Sequence, residues 1–298
     1  MNFNVLKWSL FSLMVGCALT STGQKKETLQ ALKYTVYLNE DPSKVKKLYL
    51  GLKNGEVGIK GTSKKHITIT AIRGWKKGKR FNYEYQKVLT IDKIDLRLDQ
   101  DENKVQLLQR KDEHMVYWIE IPKSMSVKVD DVNESPNKVT ITDIDADVHV
   151  NTMASLIDIQ SINGRVSANS HAGNIKVAHI NGNVDTRTII SLIKVNNING
   201  PILANSQAGD ILIVYDNEVT QSSVTSAGRK VTLKMKKTAK ANLKLKVMTG
   251  SVNSDFKLGI SQSELKGKGN MRNLEGKING GGAKIYVMAH TVDIKRVK

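Results

Sequence analysis

The sequence is poor in cysteine, proline and aromatic residues, and it lacks a long apolar segment. Its 298 residues include one cysteine, Cys17, so an internal disulfide is excluded. After residues 1–23, no run approaches eighteen consecutive apolar residues, so no transmembrane helix is expected in the rest of the chain. The chain has only four prolines, and short runs of Val, Ile, Leu and Thr occur throughout it. No amphipathic helical pattern of useful length follows residue 33. This composition predicts an all-β protein.

Familiar catalytic motifs are also missing. The sequence contains no Ser-centred nucleophile motif, no Walker loop and no Cys-His pair. A glycine-rich run at residues 276–282 lacks the lysine and hydroxyl residue that complete a phosphate-binding loop. We therefore expect a non-catalytic protein that needs no cofactor and no metal.

What the sequence does have is a repeat of eighteen residues. Ile-Asn-Gly occurs three times at that spacing, beginning at Ile162, Ile180 and Ile198. A fixed period near twenty residues is typical of a solenoid, in which each repeat stacks on the next. Four blocks align without a gap, at residues 144–161, 162–179, 180–197 and 198–215.

Each block contains two short alternating runs, one around Val148 and its equivalents and the other around Ile157 and Ile159. Alternation with period two predicts strands. One coil cannot cover its own apolar side, so the strands of successive coils should pair in parallel, about 4.8 Å apart. We therefore predict a single-domain parallel β-solenoid, or β-helix, with coils of about 18 residues.

The Asn-Gly pairs are predicted to form structural corners between strands. Asparagine tolerates a positive φ, and glycine adopts one at no steric cost. The three asparagines occupy equivalent positions, so their side chains are expected to form a hydrogen-bonded ladder along the stack. The predicted corner residues are Asn163, Gly164, Asn181, Gly182, Asn199 and Gly200.

Less regular β segments flank the repeats. Residues 24–138 are predicted to form irregular N-terminal β coils, beginning with a strand at residues 34–38. Residues 139–298 are predicted to contain the regular repeats and a C-terminal cap. Terminal coils must cap the stack, which accounts for their looser period, and we expect one continuous domain.

The N-terminus, residues 1–23, resembles an export signal. A basic residue, Lys7, precedes an apolar run at residues 8–19, which is too short to span a bilayer. Residues 13–17 (Leu-Met-Val-Gly-Cys) resemble the lipobox of bacterial lipoproteins, which implies lipidation of Cys17 and outer-membrane anchoring. Ordinary cleavage after Gly23 is the alternative, and both remain open. Either one predicts an exported protein of a bacterial cell envelope.

Several motifs together carry a family resemblance. They are the pattern Asn-Gly-x-Val followed by Ala-Gly-x-Ile, the passage at residues 249–256, and Ile278-Asn279-Gly280-Gly281-Gly282. In these features the chain resembles the bacterial putative-adhesin family of unknown function, a relative of the auto-transporter adhesin head (GIN) domain. The resemblance implies an exported β-solenoid of the cell envelope and supplies no catalytic residues. His290 stands where the family usually has another Asn-Gly corner.

Two groups of side chains are candidates for a catalytic or metal-binding site. Asp143, Asp145 and Asp147 alternate, so on a strand they would share one face and, with Arg165, could bind Ca²⁺ or serve a β-helix polysaccharide lyase or hydrolase. A solvated strand face is the simpler interpretation. The histidines never occupy equivalent positions in the repeat, which argues against a stacked metal site.

The chain is basic, with a formal net charge of +18. A basic exported protein attracts anionic glycans and lipopolysaccharide. The best-placed contacts are a loop formed by Trp75, Lys76, Lys77, Lys79 and Arg80, and a second cluster is formed by Lys234, Lys236, Lys237 and Lys240. Either group could equally be a solubilising surface.

These observations predict an interaction or adhesion surface rather than an enzyme. The expected partner is an anionic envelope or extracellular polymer, or another envelope protein. Nucleic acid is disfavoured, because aromatic residues make up only 5% of the chain and no nucleic-acid-binding fold is recognised. The alternatives are a β-helix polysaccharide lyase or hydrolase and a periplasmic structural or sensory module that binds protein.

Overall fold

The structure is a computed structural model. It describes residues 32–37, 47–73, 96–101, 104–109, 114–131, 136–266 and 271–297. The predicted export signal with Cys17 lies outside these residues, and so does the basic loop of Trp75, Lys76, Lys77, Lys79 and Arg80. Among the residues described, no helix has the length and apolar character needed to cross a membrane.

Eight described strands precede the regular repeats. The first of them corresponds to the strand predicted at residues 34–38, and it pairs antiparallel with the fourth. Their bounds are β1 (Leu32–Tyr37), β2 (Lys47–Gly51), β3 (Gly55–Thr62), β4 (His66–Arg73), β5 (Leu96–Asp101), β6 (Lys104–Gln109), β7 (Met115–Pro122) and β8 (Ser126–Asp131).

The central repeats confirm the predicted all-β solenoid. Equivalent residues of successive blocks pair in parallel, as Val148 does with Val166 and Ile157 with Ile175. The strands are β9 (Lys138–Ile144), β10 (Val148–Thr152), β11 (Leu156–Ile162), β12 (Val166–Ser170), β13 (Ile175–Ile180), β14 (Val184–Thr188), β15 (Ile193–Ile198), β16 (Ile202–Ser206) and β17 (Ile211–Tyr215).

The C-terminal part contains two strands of fourteen residues that pass from one side of the solenoid to the other. These two strands pair in parallel, with a register shift between Ser226 and Lys230, and His290 lies inside the second of them. The elements are β18 (Ser222–Met235), β19 (Ala241–Val247), β20 (Val252–Ser254), the short helix α1 (Gln262–Lys266), β21 (Arg272–Ile278) and β22 (Ala283–Arg296).

The strands form two faces that enclose one core. Face 1 contains, in spatial order, β5, β6, β2, β8, β10, β12, β14, β16, the first half of β18, the first half of β22, β19 and β21. Face 2 contains β1, β4, β7, β3, β9, β11, β13, β15, β17, the second halves of β18 and β22, and β20. Alternate residues point inward, so Val148 and Val150 meet the same core as Ile157 and Ile159.

At both ends of the solenoid the spatial order departs from the chain order. The early strands β2 and β3 lie between β6/β7 and β8/β9. The last strand, β22, lies between β18 and β19. Each terminal segment is therefore inserted between coils that other parts of the chain supply.

The corners differ from the prediction in their backbone conformation. At the central corners the left-handed residue is the one before each isoleucine: Ser161 (φ 56°), His179 (φ 56°) and Asn197 (φ 53°). The prediction of a positive φ is therefore wrong for the asparagines of the three central Asn-Gly pairs, whereas Asn279, which precedes Gly280, does have a positive φ of 47°. Glycine is needed there because successive coils approach closely: a Cβ on Gly164 would lie 2.6 Å from the carbonyl carbon of Ala146.

This steric reason is testable at Gly200. A Cβ there would meet the carbonyl group of Gly182, so Gly200→Ala and Gly200→Asn should each lower the free energy of unfolding by about 1–3 kcal/mol. If Gly200 were needed only for a positive φ, the Gly200→Asn variant would be tolerated, because asparagine adopts that conformation more readily than alanine. The control is Gly228→Ala, whose Cβ would lie 3.3 Å from its nearest neighbour and should change stability by about 0.5 kcal/mol or less. Urea unfolding that ranks the three variants equally would contradict this explanation.

The inserted strand β22 should hold the C-terminal cap in place. Deleting residues 283–298 would leave β19 paired only with β21, and would uncover the edge of β18. We expect limited proteolysis to cleave residues 241–278 while the central repeats stay intact. Deleting only residues 297–298 is the control and should leave the digestion pattern unchanged. Protection of residues 241–278 in the longer deletion would show that β22 is dispensable.

Candidate functional site

The asparagines of the repeated motif form a ladder along one corner. Nδ2 of Asn181 donates to Oδ1 of Asn163 over 2.9 Å, and Nδ2 of Asn199 donates to Oδ1 of Asn181 over 3.1 Å. A neighbouring column joins Asn197 to His179 over 2.8 Å. These side chains connect one coil to the next, so the ladder serves the stack rather than a ligand.

The three aspartates considered as a site do not share a strand face. Strand β9 ends at Ile144, and Asp143 already has a left-handed φ of 61°, so the alternation is broken. Oδ1 of Asp147 accepts a hydrogen bond from the backbone N–H of Arg165 over 2.8 Å. The interpretation of Asp143, Asp145 and Asp147 as one carboxylate face is therefore wrong. Within the described ranges, no three His, Cys, Asp or Glu side chains are placed to hold a metal ion.

A long depression runs along face 1 and is the best candidate for a binding site. It consists of two adjoining concavities, of about 700 and 1090 Å³, which share Arg165 and Asp185 among their lining residues. One extends to Lys47 and Lys128, and the other extends to Lys284. We call the combined feature the axial trough, because it crosses the strands along the stacking direction.

One row of side chains in register runs along the floor of the axial trough. The row passes through neighbouring strands, so each step is one strand spacing of about 4.8 Å and its nine steps span about 43 Å. In order, its residues are Tyr49, Lys128, His149, Ser167, Asp185, Leu203, Ser223, Tyr286, Lys244 and Glu275. All of them except Tyr49, which lies one strand beyond, line the trough.

Just beyond one end of the trough, lysines surround an aromatic ring. The Nζ atoms of Lys104 and Lys128 lie 5.0 and 5.5 Å from the centre of the Tyr49 ring. Lys128 also pairs with Asp130 over 2.8 Å, and this hydrogen bond raises the pKa of the lysine and lowers that of the carboxyl group. Both groups are therefore charged at neutral pH.

His149 lies next to Lys128 in the same row. Burial is the main cause that lowers the pKa of this histidine, and the Lys128 cation lowers it further. The imidazole is therefore neutral at pH 7 and can donate or accept a hydrogen bond at the trough floor.

The other end of the trough is also basic and aromatic. Tyr286 lies between Ser223 and Lys244 in the row, and Lys284 lines the same concavity. Nζ of Lys244 is 3.7 Å from a carboxylate oxygen of Glu275, but both side chains are largely exposed, so this pair is weak. The end thus presents two ammonium groups beside a half-buried phenol ring.

The lining of the trough favours anions. It contains five basic residues, Lys47, Lys128, Arg165, Lys244 and Lys284, against three acidic ones, Asp147, Asp185 and Glu275. Each acidic residue already has a partner. Asp147 accepts a hydrogen bond from the backbone N–H of Arg165, Asp185 is paired with the Arg187 guanidinium at 3.0 Å, and Glu275 is paired with Lys244. Among the described residues, Lys47, Arg165 and Lys284 have no ion pair.

Sequence reasoning missed this site, although one signal of it was available. Residues 226–298 contain seventeen Lys and Arg and four Asp and Glu, which gives a net charge of +13. The repeats at residues 144–215, in contrast, contain four basic and five acidic residues. The C-terminal end therefore carries most of the charge. The predicted cluster is part of it but lies outside the trough: Lys236, Lys237 and Lys240 are exposed between β18 and β19, and Lys234 lies on face 2.

A second surface feature lies at the corner opposite the asparagine ladder. Five of the seven large apolar side chains that are exposed in the described residues occur there, and we call them the apolar ridge. They come from two coils, the first and third of the central repeats: Met153, Leu156, Ile189, Ile190 and Leu192. The flanking cations Lys176 and Arg187 are paired with Asp158 and Asp185.

The chain is similar to two solved structures that are described as putative adhesion proteins. No protein-family model matches the chain, and no curated protein matches it. A crystal structure described as a putative adhesin from Bacteroides fragilis is 13% identical, covers 90% of this chain and 97% of its own, and has a TM-score of 0.44. A crystal structure described as a putative cell adhesion protein from Clostridium sporogenes is 12% identical and has a TM-score of 0.24. It covers 90% of this chain and 100% of its own. The similarity to putative adhesins that the sequence indicated is thus found among solved structures.

Proposed function

We propose that this protein is an exported, non-catalytic adhesion protein of the bacterial cell envelope that binds an extended anionic polymer along the axial trough. The ligand class is an acidic glycan, such as a uronic-acid polymer or the phosphorylated sugars of lipopolysaccharide. The observation that carries this proposal is the row of side chains that runs for about 43 Å across ten strands; nine of its residues line the trough, and a lysine lies near each end, Lys128 and Lys244.

The shape of the trough favours a polymer over a compact ligand. Its floor repeats at the strand spacing, so successive units of a linear ligand would meet similar surroundings at regular intervals. Lys47, Arg165 and Lys284 lie in different parts of the trough, which spreads the positive charge along it. A small anion would use one of these cations, whereas a polyanion would use all of them together.

The chemistry of the trough favours binding over glycoside hydrolysis. Hydrolysis normally uses a pair of free carboxyl groups that act as acid and base. The trough carboxylates are engaged by Arg165, Arg187 and Lys244. Tyr49 and Tyr286 near the two ends offer ring faces on which sugars stack, and the half-buried hydroxyl groups of Ser167 and Ser223 offer hydrogen bonds between them.

The basic C-terminal end of the trough provides the test. The Lys244→Gln/Lys284→Gln double variant should weaken binding of polygalacturonate by about tenfold or more, because it removes two charged hydrogen-bond donors. The control is the Lys236→Gln/Lys237→Gln double variant, which also removes two positive charges from the C-terminal part of the chain, but at positions outside the trough. It should bind within about twofold of the parent. Isothermal titration calorimetry at low and moderate salt measures both.

Further readouts separate this proposal from its rivals. Affinity should fall with added salt and should rise from digalacturonate to longer oligomers until the trough is filled. The same mixtures should contain no new reducing ends and no unsaturated uronate, and either product would establish the enzyme alternative. Equal weakening by the two double variants would place the site elsewhere on the basic surface.

The apolar ridge favours a second candidate function, which is binding of another envelope protein. Exposed apolar clusters of this kind are typical of protein interfaces. Ile190 is 61% exposed, and Leu156 is 51% exposed. Because the cations that flank the ridge are paired with aspartates, its surroundings are close to neutral, which suits a protein surface better than an anionic lipid surface.

A photo-crosslinking residue at position 190 in intact cells tests this second function. We expect one protein adduct whose purified partner binds the parent chain and binds the Ile190→Ser/Leu192→Ser variant at least about tenfold more weakly. Met271→Ser is the control, because Met271 is 57% exposed and lies outside the ridge. Crosslinks to lipid or to a second copy of the chain, or unchanged binding by the double variant, would refute a heterologous protein partner.

A further inference from the structure

Trp118 is an exposed aromatic residue on face 2, opposite the axial trough. Its side chain is 47% exposed on strand β7, whereas the neighbouring Tyr117 is buried. A side chain with so large an apolar ring is normally buried in the core or covered at an interface. An exposed tryptophan beside a depression therefore indicates a contact surface.

The indole ring lies over a glycine. Trp118 is paired in register with Gly58 on β3, and Gly58 is paired with Thr140 on β9. A Cβ built on Gly58 would lie 3.3 Å from Cδ1 of Trp118 and 3.8 Å from Nε1. The absence of a side chain at Gly58 therefore lets the ring lean across β3, and a depression of about 340 Å³ opens beside it.

Polar side chains surround this aromatic shelf on both sides. In the row before it, Glu56 is paired with Lys138, and in the row after it, Lys60 lies next to Glu120 and Thr142. All five line the same depression. The two carboxylates and two ammonium groups that line the depression balance in charge, and Glu120 is also paired with Lys64 at its edge. The depression is therefore close to neutral, in contrast to the axial trough.

We propose that the Trp118 depression binds a neutral pyranose ring of a glycan. A pyranose has an apolar face of C–H bonds, which would stack on the exposed side of the indole, and a rim of hydroxyl groups. Those hydroxyl groups would bond outward to carboxylates, ammonium groups and Thr140, which include both donors and acceptors. This site is independent of the proposed anion-binding function, because it lies on the other face and uses neutral chemistry.

Tryptophan fluorescence provides a direct test, because the chain has only three tryptophans, Trp8, Trp75 and Trp118. In the full chain with Trp8→Phe and Trp75→Phe, titration with cellohexaose or chitohexaose should produce a saturable blue shift that is insensitive to salt. The Gly58→Val variant should weaken this binding at least about fivefold, because the new side chain displaces the ring without changing the charge.

Calorimetry on the parent chain completes the test. Trp118→Ala should weaken binding of the same oligosaccharide at least about tenfold, and far-UV circular dichroism should show that this exposed substitution leaves the fold intact. Lys244→Gln/Lys284→Gln should bind the neutral oligosaccharide as the parent does, even if polygalacturonate binding fails. No saturable signal with either oligosaccharide, or equal signals in the Gly58→Val variant, would overturn the assignment.

Discussion

The close contact between the backbones of successive coils is the constraint on which the rest of this structure depends. Parallel pairing fixes each coil about 4.8 Å from the next, and at the corners this distance leaves no room for a Cβ. Gly164 meets Ala146 there, and Gly182 and Gly200 each meet the corner of the preceding coil. Once the corners are fixed, equivalent residues must align in rows, which is why side chains distant in sequence meet on one surface.

This constraint divides the residues into two groups with different tasks. Positions that touch the neighbouring coil, such as Asn181 and Gly182, are repeated because every coil needs them. Outward positions on the strands are unconstrained by stacking and vary from His149 to Ser167 to Asp185 along one row. Surface chemistry can therefore differ between the two faces of one solenoid without altering the core: the trough on face 1 is lined mainly by cations, whereas the depression beside Trp118 is close to neutral.

The sequence predicts what is local and repeated, and it leaves undetermined what depends on distant pairing. The eighteen-residue spacing places Val148 beside Val166 correctly, since equal spacing and parallel pairing leave one register. The corner glycines were identified, but for the wrong reason, because the inter-coil distance cannot be read from one coil. The axial trough was missed because Tyr49 and Lys244 join one row only after β2 and β22 have been inserted out of chain order.

These insertions also limit the size of the binding surface. A solenoid that ended on a regular coil would expose parallel strand edges and could add further copies. Among the described strands, β5 and β21 end face 1 with antiparallel pairing, and β1 does so at the start of face 2. The other described edge strand, β20, is only three residues long. The row on face 1 ends at Glu275 on β21, the last described strand at that end, so all ten of its residues come from one folded chain.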